Sequence, residues 1–179
     1  MYHYSICNVA DEVIFQKQCR ALEIHLPHFV KGELLEDVDG SLTQQYFISG
    51  KIITVNRLAD IFLELEQKGA ANINLVTATQ YVPQVIEALE KARDKGFHLP
   101  VVYNSSGYES ISTIRSLEGY VDVYLPDFKY AEEELAADYS NAPEYPTTAK
   151  LALKEMVRTT GDCVFDSDGY MIRGTLVRH

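Results

Sequence analysis

The sequence predicts an α/β fold with parallel strands, and three observations carry that expectation. Short runs rich in β-branched and aromatic residues alternate with segments whose apolar residues recur every three or four positions. Glycine, proline and small hydroxyl residues punctuate the junctions between them. Of the 179 residues, 46% are hydrophobic, enough for one domain with a sizeable core and too few for two large ones.

The chain divides near residue 45. Residues 1–45 read as a divergent N-terminal segment, a helix plus an acidic loop. The helix is expected over Ala10–Leu26, with Val13, Ile14, Cys19, Leu22 and Leu26 facing a core and Pro27 ending it. Gly32–Gly40 is the acidic loop. Residues 46–179 carry the regular alternation. Thr54 and Asn56 are candidate caps for a helix bearing Leu58, Ile61, Phe62 and Leu65, stopped by Gly69. A strand follows over Asn72–Thr77, then a helix over Pro83–Lys95 with Val85, Ile86 and Leu89 inward. The next strand is Leu99–Asn104, and the next helix is Ser110–Glu118 with Ile111, Ile114 and Leu117 inward. Val121–Pro126 is a third strand. Pro146–Thr160 is a helix showing Leu151, Ala152 and Met156 to the core, and Met171–Val177 is a last strand. Such alternation implies parallel βαβ units with right-handed crossovers, and both a doubly wound sheet and a barrel satisfy it.

Composition narrows the function. The 26 acidic and 16 basic side chains give a formal charge of −10, which repels a phosphate backbone and argues against nucleic-acid binding. No apolar run approaches the roughly 20 residues of a membrane helix, and the opening residues carry no basic stretch leading into an apolar one, so the cytoplasm is the expected compartment. Cys7, Cys19 and Cys163 are too scattered for a disulfide framework or a zinc motif. Asp166–Gly169 and Asp37–Gly40 each resemble part of a calcium loop, but Val164 and Leu35 would fall at its first position, so both read as turns. His25 and His28 flank Pro27 with no third ligand and read as loop residues. No metal-ligating or catalytic constellation is expected.

In both candidate architectures functional groups gather where strands end. After the first clear strand stand Thr77, Ala78, Thr79, Gln80 and Tyr81, whose hydroxyls and amide suit either a ligand's polar end or a helix cap. After the second stand Asn104, Ser105, Ser106, Gly107 and Tyr108, either a ring of donors and acceptors or a turn with Gly107 at positive φ. After the third stand Asp127 and Lys129, two apart and therefore on one face of extended chain. They fit either a charged ligand or a buried ion pair closing the strand end.

Three longer segments carry a resemblance: Gly69–Pro83, Val101–Glu109 and Val121–Tyr130. With Tyr139–Ala142, Glu155–Arg158 and Arg178–His179, they resemble, in order, a subgroup of the radical SAM superfamily related to pyruvate formate-lyase activating enzyme. The resemblance runs from Gly50 to His179 and implies a partial (β/α) barrel of the radical SAM type, incomplete here. It implies reductive cleavage of S-adenosylmethionine at a 4Fe–4S cluster, with a glycyl-radical-type partner protein as substrate. It assigns Thr77, Thr79 and Gln80 to the methionine end of the cofactor. Asn104 and Ser106 fall near the cofactor, and Asp127 and Lys129 fall at its ribose and carboxylate.

The chain departs from the family at three places. The cluster cysteines, spaced Cys-x3-Cys-x2-Cys, would fall at Glu36, Gly40 and Thr43, none of them a thiolate. The family's threonine-proline-threonine-histidine reads Thr77-Ala78-Thr79-Gln80. The family also continues past the strand that Arg178 and His179 would begin. The expected protein is therefore a homologue without the parent chemistry, or an S-adenosylmethionine- or partner-binding remnant. A fragment, a frameshifted start and a degenerate paralogue all fit. An open sheet edge would invite self-association.

Overall fold

The computed structural model describes residues 53–179 and the strand course of residues 22–25. In chain order these residues form β1 (Leu22–His25), α1 (Val55–Gln67), β2 (Ile73–Val76), a 3-10 turn (Thr79–Tyr81) and α2 (Val82–Asp94). There follow β3 (Val101–Ser105), α3 (Ile111–Ser116), β4 (Val123–Pro126), α4 (Glu133–Ser140), α5 (Tyr145–Thr160), β5 (Val164–Phe165) and β6 (Met171–Thr175). The architecture is α/β with a mostly parallel sheet ordered β1-β2-β3-β4-β6-β5, in which β5 alone runs antiparallel, against β6.

Local chemistry accounts for the helix starts. Thr54 Oγ1 accepts the Arg57 amide at 3.2 Å, and Ser110 Oγ accepts the Thr113 amide at 3.0 Å. Each satisfies one of the orphan donors of a first helical turn. Pro83 and Pro146 occupy the first turns of α2 and α5, where a missing N–H costs nothing. Gly161 follows α5 as its stop.

The strand order decides where the layers lie. Consecutive parallel strands that are also neighbours, joined by right-handed crossovers, send every helix to the same side of the sheet. The register agrees. Ile73, Leu75, Val101, Tyr103 and Tyr124 pair across β2, β3 and β4 on one face. All five are fully buried in one core with Leu58 and Phe62 of α1, Val85 and Leu89 of α2, Ile114 of α3 and Met156 of α5. The opposite face carries Asn74, Val76, Val102, Asn104, Val123 and Leu125 in alternation. Val123 and Leu125 are buried there, outside the helix-side core. A second small cluster joins Ala136 of α4 to Tyr145 and Ala149 of α5.

Several expectations need correction. The helix predicted over Ala10–Leu26 gives way at Leu22–His25 to a strand paired in parallel with β2. Leu22 and Ile24 alternate with Glu23 and His25, and a neighbouring strand supplies ladder bonds that outweigh helical propensity. The rest of that helix, the acidic loop and the positions that match the family's cluster cysteines lie outside the described residues. Leu151 is 46% exposed, because α5 turns Ala149, Ala152 and Met156 inward instead. Ile61 and Ile86 flank the core and are only partly buried. The edge beyond β6 is met by the two-residue β5 in a hairpin that the sequence reading did not predict. Among the described residues no helix is long and apolar enough to cross a membrane.

Candidate functional site at the strand ends

The C-terminal ends of β2, β3 and β4 and the chain beyond β6 converge. Their backbones continue the ladder past the named strands. The Thr77 amide donates to the Asn104 carbonyl at 2.9 Å, and the Asp127 amide to the Ser105 carbonyl at 2.9 Å. The Arg178 amide donates to the Pro126 carbonyl at 2.9 Å, and the Phe128 amide to the Arg178 carbonyl at 2.7 Å. Thr77 holds φ at +52°, a left-handed conformation that a β-branched residue adopts only at a cost. Strain of this kind concentrates at functional sites.

Asn104, Asp127 and Arg178 share the face away from the helices. One guanidinium nitrogen of Arg178, Nη2, donates to Asn104 Oδ1 at 2.7 Å and to Asp127 Oδ1 at 2.7 Å. Lys129 Nζ stands 3.5 Å from Asp127 Oδ2 with its side chain 52% exposed, against 28% for Asp127. The expectation of a charged pair at the end of β4 is met in position. The pair is partly open to solvent rather than buried, because Arg178 takes the inner place beside Asp127. Arg178 thereby fixes Asn104 and Asp127, while the long lysine stem leaves its ammonium in water.

The other predicted residues stand nearby in different roles. Thr79 Oγ1 donates to Glu109 Oε1 at 2.8 Å and accepts from the Tyr103 hydroxyl at 3.1 Å. Ser106 is exposed, and its carbonyl accepts the Tyr145 hydroxyl at 2.8 Å. Gln80 is exposed on the 3-10 turn. The structure thus gathers Asn104, Asp127 and Lys129 directly, places Thr77 on the adjoining backbone, and joins the exposed Thr79 to the buried Glu109 and Tyr103 instead.

Tyr145 stitches the loops together. Its hydroxyl also reaches the Asp127 carbonyl at 3.1 Å and accepts the Lys129 amide at 2.9 Å. Burial pushes this phenol above its ordinary value. Tyr108, Phe128 and Tyr130 ring it, with centroids 5.5, 6.4 and 5.7 Å away. Gly107, at φ +76°, lets its loop lie against Asp127.

Sequence reasoning missed three residues. Arg178 is flagged by its period-two spacing with Gly174 and Leu176 beyond the last strand. Tyr145 directly precedes the helix expected over Pro146–Thr160 and carries no role in the sequence reading. Glu109 enters the sequence reading only as the end of the Val101–Glu109 segment, yet it is 3% exposed. Burial pushes its carboxyl above the ordinary range, and the Thr79 and Ser105 hydroxyls only partly offset that.

The 4Fe–4S cluster that the resemblance implies does not fit the residues present. Glu36, Gly40 and Thr43 supply no thiolate. Cys163 is exposed at the start of β5 and packs against Gly174, at the far edge of the sheet from β2. Among the described residues no three His, Cys, Asp or Glu side chains are grouped to hold a metal ion. At the strand ends Lys129 instead presents an exposed ammonium beside the acceptor oxygens of Asp127.

No family model matches the chain, and no solved structure matches it. A stretch of 74 residues, 41% of this chain, is 32% identical to an uncharacterized protein of Methanocaldococcus jannaschii. That stretch spans 22% of the archaeal protein's length.

Proposed function

We propose that the ends of β2, β3 and β4 and the chain beyond β6 bind S-adenosylmethionine in a partial barrel of the radical SAM type, related to the pyruvate formate-lyase activating enzymes. In this reading the chain holds the ligand without cleaving it. One observation carries the reading: Asn104, Asp127, Arg178 and Lys129 meet at the carboxyl ends of adjacent parallel strands, on the face away from the helices. Ligands of parallel α/β barrels enter at that end. The order of the parallel strands, β1-β2-β3-β4-β6, supports an arc of a barrel over a doubly wound sheet, because among them it does not reverse and so offers no switch-point crevice.

Each residue then has a task. Lys129 meets the ligand's carboxylate as an exposed point charge. Asp127, fixed by Arg178, accepts from ribose hydroxyls. Asn104, held through its Oδ1, keeps its amide hydrogens for ligand acceptors. The Thr77–Gln80 turn takes the amino end. Reductive cleavage belongs to the ancestry that the resemblance implies. With no thiolate at Glu36, Gly40 and Thr43, the chain's own residues bind and orient but supply no electron.

Calorimetric titration tests the assignment. Wild type is expected to bind S-adenosylmethionine, and Lys129→Ala to bind it about tenfold more weakly, about 1.4 kcal/mol, the scale of one hydrogen bond to a charged group. Equal affinity in the two proteins would remove Lys129 from the site.

A further inference from the structure

We propose that Glu109 is a positioning residue for the Thr77–Tyr81 turn: its buried carboxyl, through Thr79 and Tyr103, latches the loop after β2 onto the loop after β3. This rests on the S-adenosylmethionine reading for its consequence, but the latch itself is a property of the free protein.

Three observations converge on it. First, Glu109 belongs to the β3–α3 loop and directly precedes the Ser110 cap, so its backbone is fixed by the start of a helix. Its side chain points away from solvent, 3% exposed. Second, the Thr79 hydroxyl is caught between two buried groups, donating to Glu109 Oε1 at 2.8 Å and accepting from Tyr103 at 3.1 Å. Tyr103 itself is locked in the helix-side core. Third, the turn begins at Thr77, whose φ of +52° must be held by its surroundings. The Tyr103–Thr79–Glu109 chain supplies such a hold.

The latch is half satisfied. Among the described residues no hydrogen bond meets Glu109 Oε2, which is buried, and the Ser105 hydroxyl nearby does not outweigh that burial. A buried carboxyl with one bare oxygen is poorly placed to carry charge. The titratable groups that face it are the phenols of Tyr103 on β3 and Tyr124 on β4, and its charge disfavours ionisation of both. No cation among the described residues compensates it, and burial raises its carboxyl. The sign follows directly. A carboxyl raised in the folded state favours folding while protonated, and that contribution fades as pH climbs from the ordinary glutamate value through the raised one. Ionisation strengthens the Thr79 bond taken alone, but the cost of a buried charge outweighs it, so the latch is tightest in mild acid and loosens as the carboxyl ionises and draws water to Oε2.

Amide hydrogen exchange of the free protein tests the latch, and calorimetry with S-adenosylmethionine tests its consequence. Corrected for intrinsic rates, exchange at Thr79, Gln80 and Tyr81 in wild type should rise as pH passes from 4 to 8. In Glu109→Gln, which keeps an acceptor for Thr79 and cannot ionise, that rise should vanish. In Glu109→Ala the three amides should exchange fast at every pH while those of β3 stay protected. In mild acid, S-adenosylmethionine should bind Glu109→Gln as it binds wild type, and Glu109→Ala about tenfold more weakly. Exchange at the three amides that is independent of pH in wild type and unchanged in Glu109→Gln overturns the latch, even if Glu109→Ala fails to fold. Unchanged affinity in a folded Glu109→Ala overturns the positioning role. If wild type binds no S-adenosylmethionine while the exchange pattern holds, the ligand reading falls and the latch stands.

Discussion

Gly107→Ala is expected to give the largest loss of stability of any single methyl added at a glycine among the described residues. A Cβ at Gly107 would lie 2.3 Å from the Asp127 carbonyl oxygen, a backbone atom that cannot swing away. That carbonyl also accepts the Tyr145 hydroxyl, so its displacement would disturb the stitch between α5 and the strand ends. The residue further sits at φ +76°, where any L side chain is strained. Overpacking and strain together should cost about 3 kcal/mol or more. For a domain of this size that lowers Tm by about 6–12 °C. Gly96→Ala and Gly119→Ala are the controls. Both have positive φ, at +93° and +82°, but an added Cβ meets nothing within 4 Å. They should lose only the backbone share, about 1 kcal/mol. Thermal unfolding followed by circular dichroism separates the cases, and a Gly107→Ala loss no larger than the controls would mean the loop does not press on Asp127.

The second large effect is Arg178→Ala. Its guanidinium joins Asn104 Oδ1 and Asp127 Oδ1, with the arginine side chain only 14% exposed. Removing it strands a carboxylate and an amide that face each other across β3 and β4. A fully exposed pair would contribute under 1 kcal/mol, but a largely buried one leaves its partners unsatisfied. A loss of about 2 kcal/mol is expected. Urea unfolding should show a lower midpoint with an unchanged slope. Crossing Arg178→Ala with Asp127→Asn should return a coupling of about 1 kcal/mol or more, since the two act as one unit. Additive losses would assign the arginine elsewhere.

Much of the fold was legible because the responsible interactions are local. Thr54 caps α1, Pro83 opens α2, and the apolar spacing of Leu58, Phe62 and Leu65 marks the buried stripe of α1. Strands β2 and β4 fell within the predicted runs and β3 ends one residue past its own, because both faces of each are largely apolar or paired. Elements without a buried stripe were illegible. Helix α4 buries only Ala136, and β5 is two exposed residues that acquire meaning only as the partner of β6. The strand at Leu22–His25 depends on β2, some fifty residues on, for its ladder, a dependence that helical periodicity cannot reveal.

The site divides along the same line. Asn104, Asp127 and Lys129 were readable because each stands at or just past the end of a strand, where this architecture puts function. Arg178 reaches Asn104 across 74 residues of sequence, and no local pattern announces a contact that distant. Glu109 was hidden for the opposite reason. It lies beside predicted residues, but its carboxyl is met by Thr79 from the turn after β2, a contact no local pattern announces.

The central claim is that the strand ends of the helix-free face receive S-adenosylmethionine. Amide chemical-shift mapping during titration tests it most directly. The account predicts saturable shifts at Thr77–Gln80, Asn104–Gly107 and Asp127–Lys129, with α1 and the outer side of α2 unmoved. Shifts confined to the helices, or none that saturate, would contradict it.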